Sequence, residues 1–544
     1  MAGRSTICEI AVGITCALWP AAVAQTAFGE TSVVQETPQF HVIELACTGP
    51  MCGPMDAPAR DVELSAVFRH AISGREIRVW GFWDGDGRGG ETGNVFKVRF
   101  CPDEPGLWRV VETASNCPEL RGSLVGTEIR CRPSDHPGFW VAEGGWYRRS
   151  NGSLMYIVGN THYTFLSRRT SSGALKVTIT DDIRRNAEYF KKLRFSLVGG
   201  RYVRPDIKPF FDPDGRPSDD GRYSFRPNPR WFHDRADAAV RAGFDSDLIC
   251  DLILCGPDTV EARSTLEGDP EPWLRYVAAR YGSYPNVWFC LCNEWDIKTP
   301  HYKAEDVRRF GAILRRYLPY GNPVSIHGAP GPWKKEIEGD WNDHRIIQWK
   351  LKTIARAADA AAESRLRPPE KPLVNDENAY EGDGDRFTEA DVVEGCFGTF
   401  LGGGYPTTGE KYGRKLGQYF WGGFDASKHK AADNLRFLRR YIDEYIDFGR
   451  MHPLPLSETP FVGVPDSFRV LGCRGREYVL GSDAAVEVTV RLPSGRWRIV
   501  QVDLITMTSE VRYTAAAGTI ALQTPPSRAG LLHVRRLNAE TTTP

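Results

Sequence analysis

The sequence has no excess of charge of either sign: 69 Lys and Arg stand against 69 Asp and Glu over 544 residues. That balance excludes the broad positive field that a nucleic-acid groove or a polybasic membrane surface requires. Long apolar runs are scarce as well. Past the first two dozen residues, no segment approaches the roughly 20 apolar residues of a spanning helix. There is no His-Glu-x-x-His motif, no Cys/His spacing of a zinc site and no G-x-G-x-x-G after a strand-like run. The sequence therefore implies neither a metal nor a cofactor. It also lacks internal repeats and low-complexity linkers.

What is there fits a large folded protein. Charged residues make up 25% of the chain, an ordinary globular share. At roughly 100–200 residues per domain, the length predicts more than one domain. The 54 glycines imply many tight turns, and 15 Trp with 20 Tyr supply flat faces of the kind that stack on sugar rings. Arg4, the apolar stretch Ile7–Val23 and the small-x-small Ala22-Val23-Ala24 predict a signal peptide over 1–24 and a secreted or periplasmic protein. Of 13 cysteines, Cys8 and Cys16 fall in that leader, leaving an odd number and so at least one unpaired thiol. Cys47 and Cys52 are spaced to close a small loop in an oxidising compartment. Cys290 and Cys292, two apart in an apolar run, are expected as buried thiols on one strand face.

Three patterns divide the mature chain. Residues 38–133 alternate in short segments (Asp61–Phe68, Ile77–Phe82, Val95–Phe100, Trp108–Glu112), and Asp84-Gly85-Asp86-Gly87 reads as a hairpin loop rather than a calcium loop. An N-terminal β-sandwich is expected there. Residues 139–454 alternate apolar runs with amphipathic helices. The runs are Leu154–Val158, Arg194–Val198, Asp247–Leu254, Asn286–Cys292, Pro323–His327, Arg345–Trp349, Pro372–Asp376 and Glu394–Leu401. Eight runs over about 300 residues predict a (β/α)8 TIM barrel, with a doubly wound open sheet as the alternative. Residues 455–537 return to alternation through Val486, Val488, Val490 and Leu492, predicting a C-terminal β-sandwich.

In a barrel, chemistry belongs at the C-terminal ends of the strands. The fourth run ends in Asn293-Glu294-Trp295 and the seventh runs into Glu377, Tyr380 and Glu381. Strands four and seven face each other, so two carboxyl groups can meet over the axis. That is the requirement of glycoside hydrolysis, with separations of roughly 5–5.5 Å for retention and 6.5–9.5 Å for inversion. Glu294 is expected to start protonated as acid/base, and Glu377 to be ionised as nucleophile. Asn293 is placed to bond a sugar hydroxyl, while Asp376 is expected to face the other side of its strand. Further polar residues at strand ends fit a sugar subsite: Asn160 and His162 after run one, Arg201 and Tyr202 after run two, His327 after run five and Gln348 in run six. His162 and His327 serve equally well as hydrogen-bonded core histidines.

The Asn293-Glu294 and Glu377 pair resembles clan A retaining glycoside hydrolases. The chain also resembles secreted bacterial proteins that join a β-sandwich of unknown function, an apiosidase-like barrel and a C-terminal β domain of collagen-binding type. The first module is matched by Gly81-Phe82-Trp83-Asp84-Gly85-Asp86-Gly87, Lys97-Val98-Arg99-Phe100 and Gly106-Leu107-Trp108. The barrel is matched by Tyr276 through Val287 into Asn293-Glu294, and by Lys371-Pro372 through Glu377 to Gly382. Apiosidases carry Gly-Asp where this chain has Asn293-Glu294, and a His where it has Thr408 in Gly402–Glu410. The resemblance implies a glycosidase acting on a plant or microbial polysaccharide or a derived oligosaccharide, with Trp295, Tyr380 and Glu410 as further substrate contacts. A non-catalytic carbohydrate-binding or adhesion protein on a degenerate barrel is the other class that fits. Oligomeric state is left open.

Overall fold

Turns rich in Gly, Pro and Asp cut the first hundred residues into short alternating segments. In the computed structural model of the chain these segments pair into a seven-stranded sheet. The structure describes residues 34–167, 177–199, 206–256, 259–412, 417–515 and 517–537. The expected leader, Arg201 and Tyr202 lie outside them. Across the sheet run Gln35–Pro38, Glu128–Arg132, Gly106–Ser115, Leu64–His70, Glu76–Trp83, Gly93–Phe100 and Ile43–Cys52. In Glu76–Trp83, Ile77 and Val79 are buried and Arg78 exposed, the period-2 signature of a half-buried strand. The Asp-rich loop is a hairpin turn as expected. Asp86 accepts from the backbone N–H of Arg88 and Gly90, each at 2.8 Å, so the turn itself uses that carboxylate.

The central region is a parallel sheet of eight strands: β1 (Gly159–Thr161), β2 (Lys192–Ser196), β3 (Ile249–Ile253), β4 (Val287–Cys290), β5 (Val324–Ser325), β6 (Arg345–Ile347), β7 (Leu373–Glu381) and β8 (Tyr405–Glu410). Their order is β5-β4-β3-β2-β1-β8-β7-β6. The seam between β5 and β6 is closed by other bonds. Asp343 N–H donates to the Val324 carbonyl at 2.9 Å, and Ser325 Oγ donates to the His344 carbonyl at 2.7 Å. The arrangement is barrel-like, and an open doubly wound sheet is ruled out. The expected helices form over Glu271–Tyr281, Ala304–Tyr317 and Ala431–Tyr445.

Two expected strands need correction. Leu154–Val158 is approach chain, half-buried at Leu154 and Met155 and buried from Tyr156, and β1 starts at the next residue, Gly159. Glu394–Leu401 is not a strand but part of helix α2 (Glu389–Leu401), which packs on α1 (Ile354–Arg365). Thr388 and Asp391 form a capping box at its start. Gly395, Gly398 and Gly402 form a row through which backbone meets backbone: a Cβ on Gly395 would stand 2.6 Å from the Leu351 carbonyl. A short run this rich in apolar and small residues matches a buried helix as well as a buried strand, and here the glycine row decides. The eighth strand is the following segment, β8.

Past the barrel, a six-stranded sheet (His452–Leu454, Arg469–Cys473, Glu477–Ser482, Gly530–Leu537, Arg496–Asp503, Thr508–Ala515) faces a three-stranded one (Phe461–Val462, Glu487–Leu492, Gly518–Gln523). Val488 and Val490 of the small sheet share an apolar cluster with Trp497, Ile499, Leu532 and Val534 of the large one. Among the described residues no helix is long and apolar enough to cross a membrane.

Candidate active site

The end of β4 brings Glu294 to the mouth of the barrel through a local conformation that few side chains adopt. Glu294 has φ of 49°, in the left-handed region. Such strain persists only where surrounding bonds over-determine it. Here Arg263, fully buried, donates to the carbonyls of Asn293 and Glu294, the latter at 3.3 Å. Trp295 N–H donates to the His327 carbonyl and His327 N–H to the Cys292 carbonyl, each at 3.1 Å. The turn is thus tied to β5 on one side and to the segment after β3 on the other.

Glu377 reaches the same space through an irregularity in β7. Its register against β8 slips between Asn375 and Ala379. A bulge of this kind breaks strict alternation and re-aims side chains. The expectation that Asp376 faces away is therefore wrong. Asp376 is fully buried in the barrel interior, bonded to Lys192, accepting from Thr407 Oγ1 at 2.8 Å and lying 3.5 Å from Arg194 Nε. Burial opposes its charge, but the Lys192 and Arg194 cations outweigh that and hold Asp376 well below the usual carboxylate range. Asn378, not Asp376, turns outward, meeting Thr399 Oγ1 of α2 at 2.9 Å.

One amide spans the two carboxylates. Gln348 Nε2 donates to Glu294 Oε1 at 3.1 Å and to Glu377 Oε2 at 2.9 Å. Since both oxygens touch one nitrogen, their separation cannot exceed the sum of those distances, 6.0 Å. The Tyr163 hydroxyl bonds the other Glu377 oxygen and approaches Asn293 Oδ1 at 3.0 Å. Arg194 stands behind, donating to Tyr163 Oη at 2.7 Å and to Asn293 Oδ1 at 2.8 Å. Burial, with Glu377 adding, raises the Tyr163 phenol well above its usual value, so it remains a donor. Asn293 spends its oxygen on these contacts, and among the described residues its Nδ2 has no protein partner.

Two half-buried cations border the mouth, with buried rings behind them. Lys298 Nζ lies 3.1 Å from Glu294 Oε2, and Lys350 Nζ lies 3.9 Å from Glu377 Oε2 while pairing with Asp383 at 2.9 Å. Lys350 sits 4.7 Å from the Tyr380 ring centroid, and Tyr380 and Tyr419 lie 4.2 Å apart. His327 is fully buried, 3.9 Å from Glu377, with its pKa pushed down to about 3 by burial and by the charge of Arg194. It is a neutral imidazole. Trp295 packs its Nε1 against Gly328.

Asn293, Trp295, His327 and Tyr380 thus gather with Glu294 and Glu377. Three other expected residues do not. Asn160 and His162 are fully buried against Asn186 of the helix after β1, at 2.8 and 3.2 Å. Glu410 accepts from the backbone N–H of Tyr412 and Gln418 and so pins a loop. Glu381 accepts from Lys430 and Ala431 N–H at the start of Ala431–Tyr445. Tyr163, Arg194, Lys298 and Lys350 were not anticipated. The one visible sign was Arg194, the cation heading the run Arg194–Val198, with Lys192 two residues before it.

A parallel eight-stranded barrel with two carboxyl groups converging at the ends of β4 and β7 defines the class: a glycoside hydrolase with a barrel domain. The family follows from the sequence. Residues 131–416 match the model of the apiosidase-like catalytic domain, more than half of the chain, and the protein belongs to that family. Residues 36–115 match a domain of unknown function, DUF5060. Among solved structures, a Bacteroides vulgatus protein described as a candidate glycoside hydrolase aligns with TM-score 0.74 at 20% identity, covering 92% of this chain and all of that one. A family 5 glycoside hydrolase from the same organism aligns with TM-score 0.59 at 12% identity, covering 75% and 94%. Both likenesses concern the fold. A comparison with curated proteins finds no match.

Proposed function

We propose that this protein is a retaining glycoside hydrolase of clan A type, secreted or periplasmic, acting on a plant or microbial polysaccharide or an oligosaccharide derived from one. The observation that carries the proposal is the 6.0 Å ceiling on the facing carboxylate oxygens. Inverting sites keep roughly 6.5–9.5 Å between carboxyl groups to seat a water, whereas direct attack needs about 5–5.5 Å. Glu377 attacks the anomeric carbon and Glu294 gives its proton to the departing oxygen. Glu294 then takes a proton from the water that releases the sugar. Hydrogen bonds from Tyr163 and Gln348 aim Glu377. The Asn293 amide, its oxygen anchored by Arg194, offers N–H to a sugar hydroxyl beside the reacting carbon. Tyr380 and Tyr419, both buried, pack ring against ring behind Lys350 and back the site.

The test is a panel of aryl glycosides and polysaccharides with Glu294→Gln and Glu377→Gln as controls. Both variants are expected to lose at least 10³-fold in kcat/KM, with retained anomeric configuration in the wild-type product by NMR. An inverted product, or turnover surviving in Glu377→Gln, rejects the nucleophile. Carbohydrate binding without turnover on any substrate favours the adhesion alternative.

A further inference from the structure

Cys255 and Cys292 lie immediately below the turn that carries Glu294. The ladder between β3 and β4 pairs Ile253 with Cys290, and its hydrogen bonds continue past the strands. Cys255 N–H donates to the Leu291 carbonyl at 3.1 Å, and Asn293 N–H to the Cys255 carbonyl at 3.3 Å. Two residues further along the register, Cys255 therefore stands beside Cys292. Neighbouring strands are about 4.7–4.9 Å apart, inside the roughly 4.4–6.8 Å Cα spacing that a disulfide accepts. The two Sγ atoms are 3.1 Å apart, closer than packed carbon atoms approach one another, at about 3.5–4.0 Å. Both side chains are fully buried.

We propose that Cys255 and Cys292 are a cross-linking site, joined as a disulfide when the chain folds in an oxidising compartment. Burial, with the neighbouring Cys255 adding, raises the Cys292 thiol well above its usual value in the folded chain, so the exchange falls before that enclosure. With a disulfide oxidant such as oxidised glutathione, the Cys255 thiolate attacks one glutathione sulfur and releases one glutathione thiolate. The Cys292 thiolate then displaces the second. Two electrons pass from the protein sulfurs to the oxidant, which leaves as two reduced glutathiones once protonated. The step belongs to folding, before both sulfurs are enclosed.

The bond would join residues 37 positions apart and tie the residue before Asn293 to the segment after β3. It rests on the secreted or periplasmic location proposed above but not on the glycosidase activity, because the readouts below are mass and melting. The full chain, exported to the periplasm of an expression host, is alkylated in denaturant with a light reagent, reduced, and alkylated with a heavy one. Cys255 and Cys292 are expected to take the heavy label together, with a cross-linked peptide that reduction abolishes. Light label on both overturns the proposal. Reductant is expected to lower Tm by several degrees in the wild type and in Cys473→Ser, and to leave a Cys255→Ser/Cys292→Ser double variant unmoved. Equal sensitivity in the double variant also overturns it. If the double variant does not fold, the peptide masses of the wild type decide alone.

Discussion

Tyr163 carries three neighbours on one oxygen: the Glu377 carboxylate, the Asn293 amide and the Arg194 guanidinium. A phenol held as a donor by burial can keep one hydrogen bond on the nucleophile through the reaction. Tyr163→Phe preserves the packing and removes that bond, so kcat is expected to fall by about 10²-fold with a smaller change in KM. Steady-state kinetics on the best aryl glycoside would check it, and an unchanged kcat would reduce Tyr163 to a packing role. Asp376 behaves differently because it touches Lys192 and Arg194 inside the barrel rather than the reacting atoms. Removing one member of such a buried charge network leaves the others uncompensated, at a cost of about 3–5 kcal/mol. Asp376→Ala is accordingly expected to lower the urea midpoint before any kinetic effect can be interpreted.

The α1–α2 pair depends on glycine at its contact. Gly395, Gly398 and Gly402 bring α2 close enough that an added Cβ meets backbone carbonyls of the Leu351–Ala358 segment. Backbone cannot move aside as a flexible side chain can, so the two helices would have to separate. Gly398→Ala is expected to destabilise by roughly 1–3 kcal/mol despite the better helix propensity of Ala, measured by denaturant unfolding. A stabilised variant would mean that the helices have slack at this contact. In β7 the bulge does comparable work for the site: it lets consecutive residues, Asp376 and Glu377, both reach the barrel interior.

At the scale of the molecule, the seven-stranded sheet is fastened to the barrel by buried charge. Asp237 accepts from Arg99 at 2.5 Å and from Arg280 at 2.9 Å, while Arg280 also reaches Asp84 at 2.8 Å. Arg99 and Lys97 extend the network to Glu44, at 2.9 and 2.8 Å. Burial opposes the Glu44 charge, but those two cations prevail and bring its pKa down to about 2. A carboxyl depressed in the folded state stabilises fully above its unfolded pKa, and the contribution is lost as pH falls through the folded value. Stability is therefore expected to drop by up to about 3 kcal/mol between pH 4.5 and pH 2 on account of Glu44. In Glu44→Gln that part of the pH dependence disappears. Denaturant midpoints across this range, compared between the two proteins, test the sign and the size.

The sequence by itself determined the barrel region, the alternating regions on either side and the Asn293-Glu294 and Glu377 pair. These follow from local periodicity and from residue types at strand ends, which a linear chain displays. It did not determine which apolar run becomes the last strand, because in Glu394–Leu401 only Glu394 and Thr399 are polar, too few to mark a face, and packing on α1 selects the helix. Nor did it determine which polar side chains share the site. Asn160, His162 and Glu410 satisfy buried groups elsewhere, while Tyr163, Arg194, Lys298 and Lys350 converge from four separate segments. The bulge in β7 shifts a phase that alternation assumes constant. The charges at 97, 99, 237 and 280 reveal nothing singly. Long-range partners are a property of closure, and only the tertiary structure decided them.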